Sequence, residues 1–461
     1  MSRPLLVIDI GSSKISAVIA EHKDDSINII GSGVAKSQGV RKGTITNIEL
    51  TSRSIRQALS DAKRVAGTTA KKAIISISGA YTRSINSSGI VNIPQQEIGT
   101  KEISRVMQTA LYNANIPNEY EVLHVLPYNF KVDDQEFIED PFGMNASRLE
   151  VDTHIITTQK SNLSNLKKAV KSAGIEIENV VLAGYASAIS ILNQDEKELG
   201  VCVIDMGAST CNMVIHSGNS IRYNTFLAVG SNHITNDLSM ALHTPLNIAE
   251  KIKIDHGSLK APSNDLIEIP LIGDENEKHE ISLEIVYNVI QARVQETLMI
   301  LAKELEKSNL KEQIGAGIVL TGGMTKLDGI RELAMAIFDN MPVRLAKARP
   351  VDGDYGPLND PAFATVMGLL EYAAGGFTQY EIDSNRKMIH KKDPIMTPTS
   401  GDLSDISLSS VPNTNTEIDE TPPKLDDGEI KQKLAEITQE ENRETLGNKV
   451  KKMWHWMTQI F

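Results

Sequence analysis

Residues 7–19 read VIDIGSSKISAVI and residues 203–215 read VIDMGASTCNMVI, with seven of 13 positions identical. The offset of 196 residues is too long for a solenoid and fits two similar domains in one chain. Each copy is an apolar strand ending in an acid (Asp9, Asp205), a small-residue turn and a second apolar strand. The turns are Gly11-Ser12-Ser13 and Gly207-Ala208-Ser209. Glycine lets a turn close tightly and approach a ligand. Successive turn N–H groups form an anion nest, and the hydroxyls of Ser12, Ser13, Ser209 and Thr210 extend it. Lys14 adds a charge suited to phosphate. Asp9 and Asp205 suit a hydrated Mg²⁺, which binds through one or two carboxylates and keeps its waters. One such hairpin is an ordinary Gly turn as readily as a phosphate site. Two in register favour the phosphate reading.

Two weaker elements join them. The strand Gly317–Leu320 runs into Thr321-Gly322-Gly323-Met324, followed by a helix over Gly329–Asp339. Paired glycines allow a base and ribose to lie against the backbone, although strand-Gly-Gly-helix is also a common packing junction. Glu250 and Lys253 are three apart and share a helix face, able to hold ribose hydroxyls and a base edge, or simply to pair in solvent. Apolar runs predict strands at Leu5–Ile10, Ala73–Ser78, Val201–Asp205 and Gly317–Leu320. Helical spacing predicts helices at Ile103–Ala114, Ser164–Ala173, Ser282–Glu306 and Gly329–Asp339. The alternation predicts an α/β architecture.

In this order, the motifs resemble the superfamily of actin, heat-shock chaperone and sugar-kinase ATPases. ELGVCVIDMGAST (198–210), TPLNIAEKIKIDHG (244–257), GAGIVLTGG (315–323) and a basic amphipathic C-terminus most resemble the FtsA family of bacterial cell-division actin homologues. The resemblance implies an actin-like ATPase fold of two duplicated halves around a nucleotide cleft holding ATP and Mg²⁺. It implies subdomain 1A at 1–82, 160–198 and 360–385, a 1C insertion at 83–159, 2A at 199–225 and 311–359, and 2B at 226–310. It further implies head-to-tail self-assembly, the tubulin-like FtsZ as main partner, and other division proteins. Relatives of the MreB type carry a catalytic glutamate before an Ala-rich helix. Here Ala183 and Gly184 stand at that place, so the sequence predicts ATP binding with slow hydrolysis, a positioned base being worth about 10²–10⁴-fold.

Composition separates the C-terminal end from the rest. Residues 386–445 are rich in Ser, Thr, Pro and acid, with net charge -5, and read as a flexible linker that cannot bury enough apolar surface to fold. Residues 446–461 carry three lysines, no acid and both tryptophans. On a helix, Leu446, Val450, Met453, Trp454, Met457, Ile460 and Phe461 fall within about 120°. Trp456 and Lys449 sit at one edge, and Lys451, Lys452 and His455 lie opposite. At about 24 Å long, such a helix suits the headgroup plane better than a span, and tryptophan favours that interface. The expected location is the cytoplasmic face of the inner membrane, at the division site. No apolar run reaches the length of a membrane span, and the N-terminus lacks a signal-peptide pattern. A net charge of -12 argues against a nucleic-acid partner. Two cysteines, Cys202 and Cys211, exclude a disulfide framework and read as packing residues. The ten histidines show no metal-ligand spacing. Two other readings share the nucleotide motifs: an assembly ATPase of a pilus or secretion system, and a sugar kinase. The basic tail favours the division protein over both.

Overall fold

A computed structural model describes residues 4–390 except 24, 25, 69, 96, 219, 262, 263, 273, 354 and 355. The linker, 386–445, lies almost wholly outside the described residues, and the tail, 446–461, lies wholly outside them.

The chain opens with β1 (Leu5–Ile10), β2 (Lys14–Lys23) and β3 (Ser26–Lys36), an antiparallel meander around the first repeat. A two-stranded ribbon, β4 (Val40–Arg41) and β5 (Thr44–Ile45), leads into α1 (Ile48–Ala66). Asn47 caps α1 by accepting from Leu50 N at 3.0 Å, and Gly67 ends it in the left-handed region at φ +64. β6 (Lys72–Ile77) then returns parallel to β1.

The next stretch builds a separate sheet. It contains β7 (Thr82–Asn92), α2 (Thr100–Asn113), β8 (Tyr120–Val132), β9 (Gln135–Ile138) and β10 (Arg148–Gln159), in the strand order β7-β10-β8-β9. α2 begins before the predicted Ile103 because Glu102 reaches back to Gly99 N at 3.1 Å, capping the first turn. Its face Ile103, Val106, Met107 and Ala110 closes a small core on Leu149, Val151 and Ile155.

α3 (Lys160–Ser172), β11 (Glu176–Leu182) and α4 (Ala183–Ile191) complete the first half, whose sheet order is β11-β6-β1-β2-β3. The short α5 (Gln194–Leu199) bridges to β12 (Val201–Met206), β13 (Cys211–Ser217) and β14 (Ser220–Leu227), around the second repeat. There follow α6 (Ser231–Ala241), α7 (Leu246–His256), the ribbon β15 (Leu266–Leu271) and β16 (Asp274–Ser282), and α8 (Leu283–Lys307). Along α8, Val286, Ile290, Val294, Leu298, Leu301 and Leu305 are buried at helical spacing. β17 (Ile318–Thr321), α9 (Ile330–Ile337) and β18 (Val343–Leu345) close the second half. Its sheet order, β14-β13-β12-β17-β18, repeats the first half strand for strand.

α9 starts one residue after the predicted Gly329, which stands outside the helix at φ +88. The chain then returns to the first half as α10 (Ala364–Ala373), packed in the same core as β1 and α4.

The last described residues lock the inserted sheet to the first half. Val125 and Ile382 exchange backbone hydrogen bonds of 2.9 and 3.0 Å, and Tyr380 and Ile382 enter the inserted core. Between them Glu381 is fully buried. Its carboxylate accepts from Tyr372 Oη at 2.6 Å and Tyr185 Oη at 2.7 Å, and meets His124 Nδ1 at 3.3 Å. A buried carboxylate survives only with such partners.

Candidate functional site

The two repeats face each other across a cavity of about 530 Å³ between the halves. Gly11, Ser12, Ser13, Lys14, Gly207, Ala208, Ser209, Thr210, Glu250, Lys253, Gly322, Gly323 and Met324 all line it. So do Asp9 and Asp205. Residues spread over more than 300 positions of sequence thus meet at one place because each half repeats one topology, with its turn at the same end of its sheet.

Both turns close in the same way. Gly11 N donates to Lys14 O at 3.1 Å, and Gly207 N donates to Thr210 O at 2.9 Å. A Cβ on Gly11 or Gly207 would stand 2.9 or 3.1 Å from that carbonyl oxygen, so a larger residue would push the turn open. Gly322 is under firmer constraint. It sits at φ +92, and a Cβ there would fall 2.5 Å from Asp205 Oδ1 and from Met206 O. Gly323 and Met324 enter a short 3-10 turn, Gly323–Lys326, rather than passing directly into the helix.

The acids are held differently. Asp9 Oδ1 accepts from Ser76 Oγ at 2.8 Å. Burial pushes its carboxyl up to about 6, opposed by the Ser76 hydrogen bond and the Lys14 charge, while the Asp205 charge adds to the rise. Asp205 Oδ2 accepts from Ser187 Oγ at 2.8 Å and from Thr365 Oγ1 at 3.2 Å. Burial raises its pKa as well, against those two hydrogen bonds. Two carboxyls that both resist ionisation, in one cavity, form an environment that a bound cation would relieve.

Lys14 Nζ donates to Ala362 O at 2.8 Å and stands 3.7 Å above the Phe363 ring. Burial lowers its pKa, opposed chiefly by the Asp9 charge. Asp360 anchors the same segment: it caps Ala362 N at 2.9 Å and pairs with Lys326. Burial alone would raise its carboxyl, but Lys326, the Ala362 N–H and the Lys14 charge hold it below the usual carboxylate range.

On the far wall, Lys253 is buried and donates to Glu250 Oε2 at 2.6 Å, Thr235 Oγ1 at 2.9 Å and Ser231 O at 3.3 Å. Glu250 also accepts from Thr235. The pair is therefore a built part of the wall and not a solvent ion pair. Ala183 also lines the cavity, at the start of α4.

Five residues that shape the site carry no motif in the sequence, Ser76, Ser187, Lys326, Ala362 and Thr365, and a sixth, Asn212, lies inside the second repeat at a position with no identical partner in the first. Asn212 Oδ1 accepts from Gly79 N at 3.2 Å and links the second repeat to the entrance of the inserted sheet. Cys202 and Cys211 are fully buried, as packing residues are, and burial pushes both thiols up. Among the described residues no cluster of three or more His, Cys, Asp or Glu is placed to hold a metal. No described helix is long and apolar enough to cross a membrane.

The duplicated sheets about this cavity are the actin-like ATPase fold. The solved PilM–PilN type IV pilus biogenesis complex shares that fold, with a TM-score of 0.57 and 16% identity over 81% of this chain and 99% of that one. Sequence places the chain more narrowly. A family model described as the SHS2 domain inserted in FtsA matches residues 79–157, and one described as cell division protein FtsA matches 202–368. Cell division protein FtsA of Helicobacter pylori is 39% identical over 90% of this chain and 94% of its own length. That of Escherichia coli is 29% identical over 84% of this chain and 94% of its own. The chain belongs to the FtsA family and is an actin-like cell-division protein.

Proposed function

We propose that the cavity binds ATP with Mg²⁺, and that the chain polymerises head to tail and tethers FtsZ to the cytoplasmic face of the inner membrane through residues 446–461. The observation that carries the nucleotide reading is the convergence of both phosphate turns, both aspartates and the Glu250–Lys253 pair on one cavity. The residues fit the group. The turn glycines let each turn close where a Cβ would press on Lys14 O or Thr210 O, and Asp9 and Asp205 offer the one or two carboxylates a hydrated Mg²⁺ uses. Lys14 and the turn N–H groups take the phosphates. Glu250 and Lys253 take the ribose, and Gly322, Gly323 and Met324 lie along the base. The bound metal offsets phosphate charge. Hydrolysis is slow, because Ala183, the cavity residue at the start of α4, cannot polarise a water.

The tail reading rests on sequence: Lys451 and Lys452 on one helical face and Trp454 on the other, after about 60 residues of linker. The subdomain boundaries 1A, 1C, 2A and 2B belong to the same proposal. The test is co-sedimentation with liposomes in ATP and Mg²⁺, with and without residues 446–461, followed by microscopy for filaments and recruitment of purified FtsZ. Membrane-bound filaments that need both nucleotide and tail are expected. Equal sedimentation of the truncated chain would remove the tether, and no nucleotide dependence would remove the cavity's role.

A further inference from the structure

The body carries a basic face that the nucleotide site does not use. α3 reads KSNLSNLKKAVKS, with four lysines and no acid. Its buried side is Leu163, Leu166, Ala169 and Val170. Lys160, Lys168 and Lys171 are exposed, and Lys167 is half-buried. The helix is about 20 Å long at 1.5 Å per residue, so the charge runs its whole length. α1 and α3 lead into β6 and β11, which are parallel neighbours. Both helices therefore end at the same edge of the first half, where Lys63 and Lys71 extend the charge. This edge is opposite the strand ends that face the cavity.

Lys63, Lys71, Lys160, Lys167, Lys168 and Lys171 have no ion-pair partner among the described residues. Of the nearby acids, Asp61 pairs with Arg64 at 3.6 Å and Glu176 with Lys72 at 3.9 Å, while exposed Glu119 stands at the start of α3, its carbonyl accepting from Lys160 N at 2.9 Å. Lysines in a last helical turn complement the helix dipole, which accounts for Lys63 and Lys171. It does not account for Lys160, at the start of α3 where a cation is unfavourable, nor for Lys71, outside both helices. Residues 1–385 carry a net charge of -10, so six lysines without an ion-pair partner around one helix stand against the overall charge of the body.

The turn 383–387 rests on β11, the outer strand of the first-half sheet. Asn385 Nδ2 donates to Glu178 O at 2.8 Å, and Val180 N donates to Ser384 Oγ at 3.1 Å. Glu178 is two residues along β11 from the Lys72–Glu176 pair. The next residues turn back toward 380–382: Ile389 N donates to Glu381 O at 2.8 Å, and the His390 and Tyr380 rings are 5.1 Å apart.

We propose that the outer face of α3, with Lys71 and Lys63, docks on an anionic phospholipid surface, so that the body lies against the membrane its tail selects. The proposal rests on the tether reading above. The tail supplies a local concentration, and the lysines then fix which face of the body meets the lipid. Each lysine near an anionic leaflet strengthens binding about fivefold, and the effect is screened by salt.

The test uses the full chain with vesicles of phosphatidylglycerol in phosphatidylcholine (about 30 mol% anionic lipid, a charge density that attracts basic segments) and with pure phosphatidylcholine. The variant Lys167→Gln/Lys168→Gln/Lys171→Gln keeps the tail. It should bind anionic vesicles at least about tenfold more weakly, with no change on neutral vesicles. A fluorophore on Ser172→Cys, an exposed position, should be quenched by headgroup-labelled lipid. The buried Cys202 and Cys211 will not take the label. Unchanged anionic binding, or no quenching, overturns the proposal and leaves the tether intact. An acidic protein segment as the true occupant gives that same outcome. Removal of 446–461 without loss of binding overturns the tether instead. If the lysine variant still weakens binding in that truncated chain, the basic face stands without the tail.

Discussion

The two glycine turns share a sequence pattern and a backbone, yet they do different physical work. The first is a charged edge. Ser13 is exposed, Lys14 spans to Ala362, and Asp9 has one hydroxyl partner and a pKa pushed up to about 6. The second is a fixed wall. Asp205 has two hydroxyl partners, Ser209 accepts from Asn232 Nδ2 at 3.0 Å, and Gly207 O and Ala208 O accept from Ser231 N and Asn232 N at the start of α6. Duplication thus supplies the geometry twice, and divergence gives one copy the titrating charge and the other the rigidity. Preorganised donors cost little to use at the moment of binding, while a free charge adjusts to its ligand.

The comparison breaks most readily at Lys14. Lys14→Ala should weaken MgATP binding by about 10- to 100-fold, the loss of one charge-assisted phosphate contact. Thr210→Ala, at the matching position, should cost less than about fivefold, the scale of a neutral hydrogen bond. Equal losses by calorimetry would mean the two turns are interchangeable.

Ala183→Glu places a carboxylate in the cavity at the start of α4. Steady-state phosphate release should rise at least about tenfold, the low end of what a positioned base supplies being near 10². No change would show that the missing acid is not what limits turnover.

Asp9→Asn tests the titrating copy through pH. A carboxyl whose folded pKa lies above its ordinary 3.8 contributes stability below that value and loses it as pH rises through about 6. At pH 8, without nucleotide, the variant should be more stable than the parent. Because Asp9 is only half-buried, the gain is about 1 kcal/mol after allowance for solvent screening. The gain should vanish near pH 4 and shrink when MgATP is added. Denaturant melts across that range check it, and a gain independent of pH would assign the effect to packing.

An effect of similar size is expected on the rigid side. Ser187→Ala removes one of two hydroxyls on Asp205 and should cost about 1 kcal/mol of stability, read as a shift in the urea midpoint at constant slope.

Much of this site is legible along the chain, because a strand, an acid and a glycine turn are local patterns. The Glu-x-x-Lys spacing on α7 is local too. Ser76, Thr365 and Lys326 are not legible, because nothing near them in sequence marks their chemistry. Ser76 is an ordinary strand serine until β6 pairs with β1. Thr365 lies 160 residues from the carboxylate it binds. Helix starts behaved likewise: α2 begins early because of a glutamate cap, and α3 begins at Lys160, four residues before the apolar spacing alone placed it.

By itself the sequence determined that the chain folds as two related α/β halves, with an acid and a glycine turn in each and a composition that changes before the C-terminus. Hydrophobic period, turn glycines and charge are read over a few residues at a time, so they survive without a fold. Only the tertiary structure decided that both turns, Lys253 and the glycine pair meet in one cavity, that Asp9 and Asp205 resist ionisation there, and that residues 380–382 close the inserted core. Those outcomes depend on which distant side chains exclude water from one another, and that exclusion exists only once the sheets have packed.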